Sequence, residues 1–252
     1  MASRILLKTR VDVTRYGEAG QQVVDWVRAH TPAFVVAANV HVLMTAWWDP
    51  HFQQVLDQAA LVTADGMPLV WLLRALGERH AERVYGPDLM LVLCERAATE
   101  GIPIYLYGST PEVLQKLSVQ LGKHYPGLIV AGTYAPPFRP LSAAEEAEDR
   151  ERIRTSGARI IFVGLGCPKQ ELLMARWQGS LDVVWVGVGA AFNFHSGTVS
   201  QAPRWLMSLG GEWLYRLWQE PRLWRRYVLN NPLFVVLALA QVIRQQLGSH
   251  AH

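Results

Sequence analysis

Short apolar runs recur along the chain with amphipathic stretches between them: "AFVVAA" (33–38), "ALVTA" (60–64), "IPIYLYG" (102–108), "LIVAGTY" (128–134), "RIIFVGLG" (159–166) and "DVVWVGVG" (182–189). Each run is too short for a helix of ordinary length, is rich in β-branched and aromatic residues, and stops at polar or glycine positions, so each predicts a buried strand. The stretches Pro68 to Leu76 and Pro111 to Leu121 have helical spacing, with proline where a first helical residue belongs. Strand and helix alternating in this way predict βαβ units, a parallel sheet and right-handed crossovers. The acidic run "SAAEEAEDRERIRTSG" starts at Ser142, a good N-cap, and reads as a solvated helix.

The pattern changes after Gly197. Tryptophan and arginine interleave there, and Trp205, Trp213, Trp218 and Trp224 are four of the chain's ten tryptophans. On one helix, Leu206, Leu209, Trp213 and Leu217 share a stripe, with Arg204, Ser208, Glu212 and Arg216 facing elsewhere. Pro221 and Pro232 are expected to break this region into shorter helices. The last contains "LFVVLALAQVI", well short of the roughly 20 residues a membrane span requires, so no span is expected. Two readings fit the tail: a helical subdomain with tryptophans in its core, or a surface-seeking appendage with apolar groups at an acyl boundary and arginines reaching phosphates.

Composition adds a charge asymmetry. The chain of 252 residues is 50% hydrophobic and 18% charged with a net charge of +3, which excludes disorder and suits one α/β domain, alone or with an appendage. Between 204 and 226 five arginines (204, 216, 222, 225, 226) face only Glu212 and Glu220, so this segment suits an anionic partner. Cys94 and Cys167 are far apart and lack metal spacing. The first twenty residues lack a long uncharged apolar run, and a cytoplasmic location is expected.

Several chemistries are disfavoured. Gly164-Leu165-Gly166 reaches Lys169 and Gly187-Val188-Gly189 reaches Phe192 where the dinucleotide fingerprint requires glycine. There is no P-loop, no H-E-x-x-H and no D-x-D pair, so a bound pyrophosphate would be neutralised by arginine, lysine and backbone N–H groups. What remains is a set of polar residues at strand ends, where open parallel sheets hold ligands: Asn39, Asp65, Ser109, Gln170 and Asn193, with Arg83 before "VYGPD". Each has a plainer alternative. Asp65 could cap the helix at Met67–Pro68, and Asn39 and Ser109 could cap theirs. Cys167 reads as a small packing residue in preference to a nucleophile.

The successive stretches "ADGMPLVW" (64–71), "ERVYGPDLM" (82–90), "LYGSTPEV" (106–113), "IIFVGLGCPKQE" (160–171), "GVGAAFNFHSG" (187–197), "APRW" (202–205) and "EPRLWRRY" (220–227) resemble, in order, the motifs of the WecG/TagA/CpsF glycosyltransferases, glycosyltransferase family 26. The resemblance implies a Rossmann-like catalytic domain over 1–197 and a membrane-associating helical appendage over 198–252 that completes the active site. It implies inverting transfer of N-acetylmannosamine, its uronic acid or another hexose from a UDP-sugar to a polyprenyl-diphosphate-linked sugar, with neither cofactor nor metal. It implies a peripheral location on the inner face of the cell membrane, an anionic membrane surface as partner, and no nucleic acid, and leaves a homo-oligomer open. By the same resemblance Asp65 is the general base, and Asn39, Arg83, Asp88, Ser109, Gln170 and Asn193 bind substrate with Arg216, Arg222 and Arg225, the three arginines holding a diphosphate. The chain departs from the pattern at Ala37-Ala38-Asn39, where many relatives have a threonine, and at Asn193, where many have aspartate. A UDP-glucose or UDP-glucuronate transferase, a nucleotide-dependent oxidoreductase and a non-catalytic membrane scaffold are the alternatives.

Overall fold

The computed structural model describes residues 2–249, with the side chains of all but Arg222, Arg226 and Ser249. In chain order the elements are β1 (Ala2–Leu6), β2 (Thr9–Val13), α1 (Tyr16–Arg28), β3 (Ala33–Ala38), α2 (Val40–Trp48), α3 (Pro50–Asp57), β4 (Leu61–Ala64), α4 (Met67–Ala75), α5 (Gly86–Glu100), β5 (Ile104–Gly108) and α6 (Pro111–His124). They continue with β6 (Val130–Tyr134), α7 (Ala143–Ser156), β7 (Ile160–Gly164), α8 (Lys169–Trp177), β8 (Val184–Gly187), α9 (Ala191–His195), α10 (Arg204–Ser208), α11 (Glu212–Gln219) and α12 (Trp224–Ser249). The α/β expectation holds, and each of the six apolar runs contains a strand. The β1–β2 hairpin was not expected from the sequence. Ser142 caps α7 in a capping box with Glu145.

The chain forms two compact units. One comprises Tyr16–Val36 and Gly86–Ser200. Its strands run in the order β3-β8-β7-β5-β6, all parallel, in register from Ile160 opposite Val184 to Gly108 opposite Gly164. Phe34, Leu106, Phe162 and Trp185 are fully buried, which is why these strands read as unbroken apolar runs. The rings of Tyr107, Trp177 and Trp185 meet edge to face, and buried Tyr107 donates its hydroxyl to Asp149 at 2.7 Å. α5 packs on α1 and α9.

The other unit comprises Met1–Arg15, Ala37–Tyr85 and Gln201–His252. The hairpin is antiparallel from Ala2 opposite Val13 to Leu6 opposite Thr9, and turns through Leu7 at φ 58°. β2 runs parallel to β4, and Asp12 Oδ2 accepts from Val62 N at 2.8 Å. α12 packs on α2 and α4. Gln241 donates from Nε2 to Ile5 O at 2.7 Å and accepts at Oε1 from Leu7 N at 2.9 Å, and Gln245 donates to Leu76 O at 3.2 Å.

Two expectations for the tail are corrected. The expected stripe through Leu206 and Trp213 does not lie on one helix, because the chain breaks between α10 and α11. Gly210 takes φ 69°, and a Cβ there would lie 2.7 Å from the Trp71 ring, so neither the backbone nor the space suits another residue. Pro232, in contrast, does not break its helix: α12 runs through it for 26 residues. Proline removes the hydrogen bond to the carbonyl four residues back and crowds that oxygen, but both Pro232 and Val228 are exposed residues, a setting in which a helix can continue past the lost bond. The length argument against a span therefore lapses. Tyr227–Gly248, 22 residues that include an 18-residue stretch of mean hydropathy 1.4, is long and apolar enough to cross a membrane by length and composition alone.

Candidate active site

In the unit built on the hairpin, β4 ends at Ala64 and delivers Asp65 to the end of the strand, 8% exposed. Its backbone is held on both sides: Asp65 N donates to Ala38 O at 2.8 Å, and Arg83 Nε donates to Asp65 O. The N-cap position of α4 is Gly66, the residue after Asp65, so Asp65 does not itself occupy the cap. Asn39 does cap its helix: Oδ1 accepts from His41 N at 3.0 Å and Val42 N at 3.3 Å. That leaves the other amide atom to face the carboxylate, and Nδ2 donates to Asp65 Oδ2 at 3.3 Å. A single asparagine thus starts α2 and aims Asp65.

Arg83 lies over the Tyr85 ring, 4.0 Å from its centroid, and Arg83 Nη2 donates to Glu212 Oε2 at 2.6 Å. Tyr85 donates its hydroxyl to Glu212 Oε1 at 2.9 Å. Burial works against the charge on Arg83, but the Asp65 and Glu212 carboxylates outweigh it and raise its pKa. Burial, reinforced by Glu212 and Asp65, pushes the Tyr85 phenol up and keeps it a donor. Glu212 and Tyr85 were not picked out from the sequence. The only signal was that Glu212 is one of two acids among five arginines.

Asn39, Asp65, Arg83, Glu212 and Arg216 line a cavity of about 790 Å³ whose remaining walls are chiefly apolar, with Trp71 and Leu72 of α4 and Phe234, Ala238 and Leu239 of α12. Trp213 and Tyr227, also in the lining, have ring centroids 5.8 Å apart. Arg216 Nη2 lies 4.0 Å from Glu220 Oε1. Arg225 is exposed and 5.5 Å above the Trp224 ring. The Arg222 side chain lies outside the described residues.

In the parallel-sheet unit, polar residues gather at the carboxyl ends of β5, β7 and β8. Ser109 follows β5 at φ 60° and donates its hydroxyl to Asn193 Oδ1 at 3.3 Å, while Thr110, not Ser109, caps α6. Asp88, in the first turn of α5, accepts from the Tyr16 hydroxyl at 3.3 Å. Gln170 is 4% exposed and Glu171 is fully buried. Gln170 Oε1 accepts from Gly166 N at 3.2 Å and Gly189 N at 3.1 Å, and Nε2 donates to Glu171 Oε1 at 2.9 Å. Burial pushes the Glu171 carboxyl up to about 7, against hydrogen bonds from Gln170, its own backbone N–H and the Cys167 thiol. Sequence reasoning passed over Glu171, although an acid two residues into a helix that leaves a buried strand was a signal.

An aspartate at a strand end that shares a largely apolar cavity with Arg83 and Arg216 has the parts of a group-transfer site. The chain belongs to the glycosyl transferase WecG/TagA/CpsF family, whose profile matches residues 4–248, and it is therefore a glycosyltransferase. It is similar to the N-acetylglucosaminyldiphosphoundecaprenol N-acetyl-beta-D-mannosaminyltransferase of Bacillus spizizenii, at 29% identity over 208 residues, covering 82% of this chain and 79% of that protein.

Proposed function

We propose that this protein transfers an N-acetylmannosamine-type sugar from a UDP-sugar to the sugar of a polyprenyl-diphosphate acceptor, with inversion, in the assembly of a bacterial cell-surface polysaccharide. The observation that carries the reading is Asp65, whose carboxylate is aimed by Asn39 into the apolar cavity of its unit. An acceptor hydroxyl attacks the anomeric carbon as Asp65 takes its proton; the new glycosidic bond forms, the bond to the diphosphate breaks, and UDP leaves with the electron pair. The cavity's walls on α4 and α12 suit an isoprenoid chain, and Arg83 and Arg216 at its polar end suit the diphosphate. Arg222 and Arg225 join them by the resemblance alone. The strand ends carrying Ser109, Gln170 and Asn193 receive the sugar nucleotide, as carboxyl ends of parallel strands do. The segment from about residue 198 acts as the appendage that completes the site and rests on the inner face of the membrane. The similarity to the Bacillus spizizenii transferase supports both the donor sugar and the lipid diphosphate acceptor.

The test is a panel of UDP-sugars incubated with a short-chain prenyl-diphosphate N-acetylglucosamine, with the product read by mass. The expected product gains one N-acetylhexosamine, and UDP-N-acetylmannosamine is the best donor. No product with any UDP-sugar overturns the reading.

A further inference from the structure

Glu171 is the one fully buried carboxylate beside the strand ends of the parallel-sheet unit, and the transfer chemistry leaves it without a task. Its neighbour Gln170 has a fixed amide orientation. Oε1 faces two backbone N–H donors, Gly166 after β7 and Gly189 after β8, so a flipped amide would set its NH₂ against both. The amide is also wedged: a Cβ at Gly187 would lie 3.0 Å from Nε2 and 2.9 Å from Met174 Cε. What remains is an acceptor for Nε2, and Glu171 Oε1 supplies it at 2.9 Å. Glu171 Oε2 has no hydrogen-bond partner, so the carboxyl faces a desolvation cost that a neutral group would avoid.

We propose that Glu171 is a positioning residue for the nucleotide end of the reaction: through Gln170 it holds the β7–α8 and β8–α9 turns in the shape that receives the sugar nucleotide. Oε1 accepts from Gln170 whether or not Oε2 carries a proton, so the clamp holds in both states. Gly166 at φ 77° and Gly189 at φ 53° are the conformationally freest points of the two turns, and the clamp grips the N–H of each. A residue kept only for packing would not sit at a loss in stability while ordering its neighbour's amide.

This inference rests on the donor binding at these strand ends. The test uses the full-length protein, with Glu171→Met, which keeps the length but lacks the acceptor, and Glu171→Gln, which retains a carbonyl oxygen. Two readings are taken: amide hydrogen exchange at Gly166 and Gly189 without ligand, and UDP affinity by calorimetry. In Glu171→Met, exchange at both glycines is expected to rise about fivefold or more, the equivalent of one lost hydrogen bond, and UDP to bind correspondingly more weakly, while stability at pH 8 does not fall. Glu171→Gln is expected to restore both. Unchanged exchange at the two glycines in Glu171→Met overturns the proposal, as does weakened binding accompanied by a general loss of stability. If the wild-type protein does not bind UDP, the donor reading fails, and the glycine exchange rates still decide whether the clamp exists.

Discussion

Asn39 reaches Asp65 through the one amide atom that its helix leaves unused, Nδ2 to Oδ2 at 3.3 Å, while Oδ1 stays on the amides of His41 and Val42. The carboxylate direction is thereby tied to the start of α2. Asp65→Asn keeps the shape and removes the proton acceptor, so kcat is expected to fall by about 10²–10⁴-fold, with UDP affinity within about twofold of wild type. Single-turnover rates at saturating substrates measure this. A near-wild-type rate would mean that Asp65 is not the base.

Glu212 is held by two donors, Arg83 and Tyr85, and it ties α11 to the end of the segment that carries Asp65. With both partner side chains less than one-fifth exposed, Glu212→Ala leaves Arg83 short of a charged partner and is expected to destabilise the protein by about 2 kcal/mol. Urea titration measures the loss. If the midpoint does not move, the pair contributes nothing and Arg83 relies on Asp65 alone.

The buried carboxyl of Glu171 makes stability depend on pH. Its pKa is raised in the folded protein, from an ordinary value of 4.5 to about 7, so the folded state holds the proton more tightly than the unfolded chain. The resulting stability is complete below about 4.5, falls as pH rises through 7, and totals about 3 kcal/mol. Glu171→Gln cannot titrate. The difference in unfolding free energy between Glu171→Gln and wild type is expected to grow in the variant's favour from pH 4.5 to pH 8, and a difference flat with pH would contradict it.

The proposed chemistry needs the charge on the departing diphosphate to be met by protein groups such as arginines and helix amino ends, with no metal. Transfer is expected to persist after incubation with a chelator. Activity lost on chelation and restored by magnesium or manganese would show that a divalent ion takes part.

Exposed Trp205, Trp218 and Trp224, with the exposed arginines Arg204 and Arg225, suit an anionic lipid surface. Binding to such vesicles is expected to combine apolar burial with about 1 kcal/mol per arginine near the surface, and so to weaken as salt rises. Cosedimentation with anionic and neutral vesicles measures this; equal recovery with both would remove the electrostatic part.

The parallel strands were legible because a strand covered on both faces has to be apolar throughout, as "IIFVG" and "VWVG" are. The hairpin was not. β1 is largely exposed, and Arg4, Lys8, Arg10 and Asp12 interrupt any alternation, the buried Asp12 carboxylate meeting Val62 N and lying 3.7 Å from Arg10 Nη1. α12 was read as broken because proline carries a strong local penalty, and sequence does not show that Pro232 and Val228 are exposed. The strand-end positions of Asn39, Asp65, Gln170 and Asn193 could be picked out, and the resemblance supplied their roles. The partners of those residues were hidden, since Asp65 and Glu212 are 147 positions apart in the chain and only folding joins them to Arg83.

Gln241 grips the hairpin at Ile5 and Leu7, and Gln245 grips Leu76 one turn further on. A helix that threaded a bilayer would have to surrender these three bonds inside hydrocarbon, where no water replaces them. A helix that lies along the leaflet keeps them, and then it cannot swivel independently of its unit. Contact with a surface through α12 therefore fixes the roll of that whole unit against the lipid. On such a surface, the search for a long-chain acceptor would shrink from three dimensions to sliding within a plane, with the cavity held at one height above it.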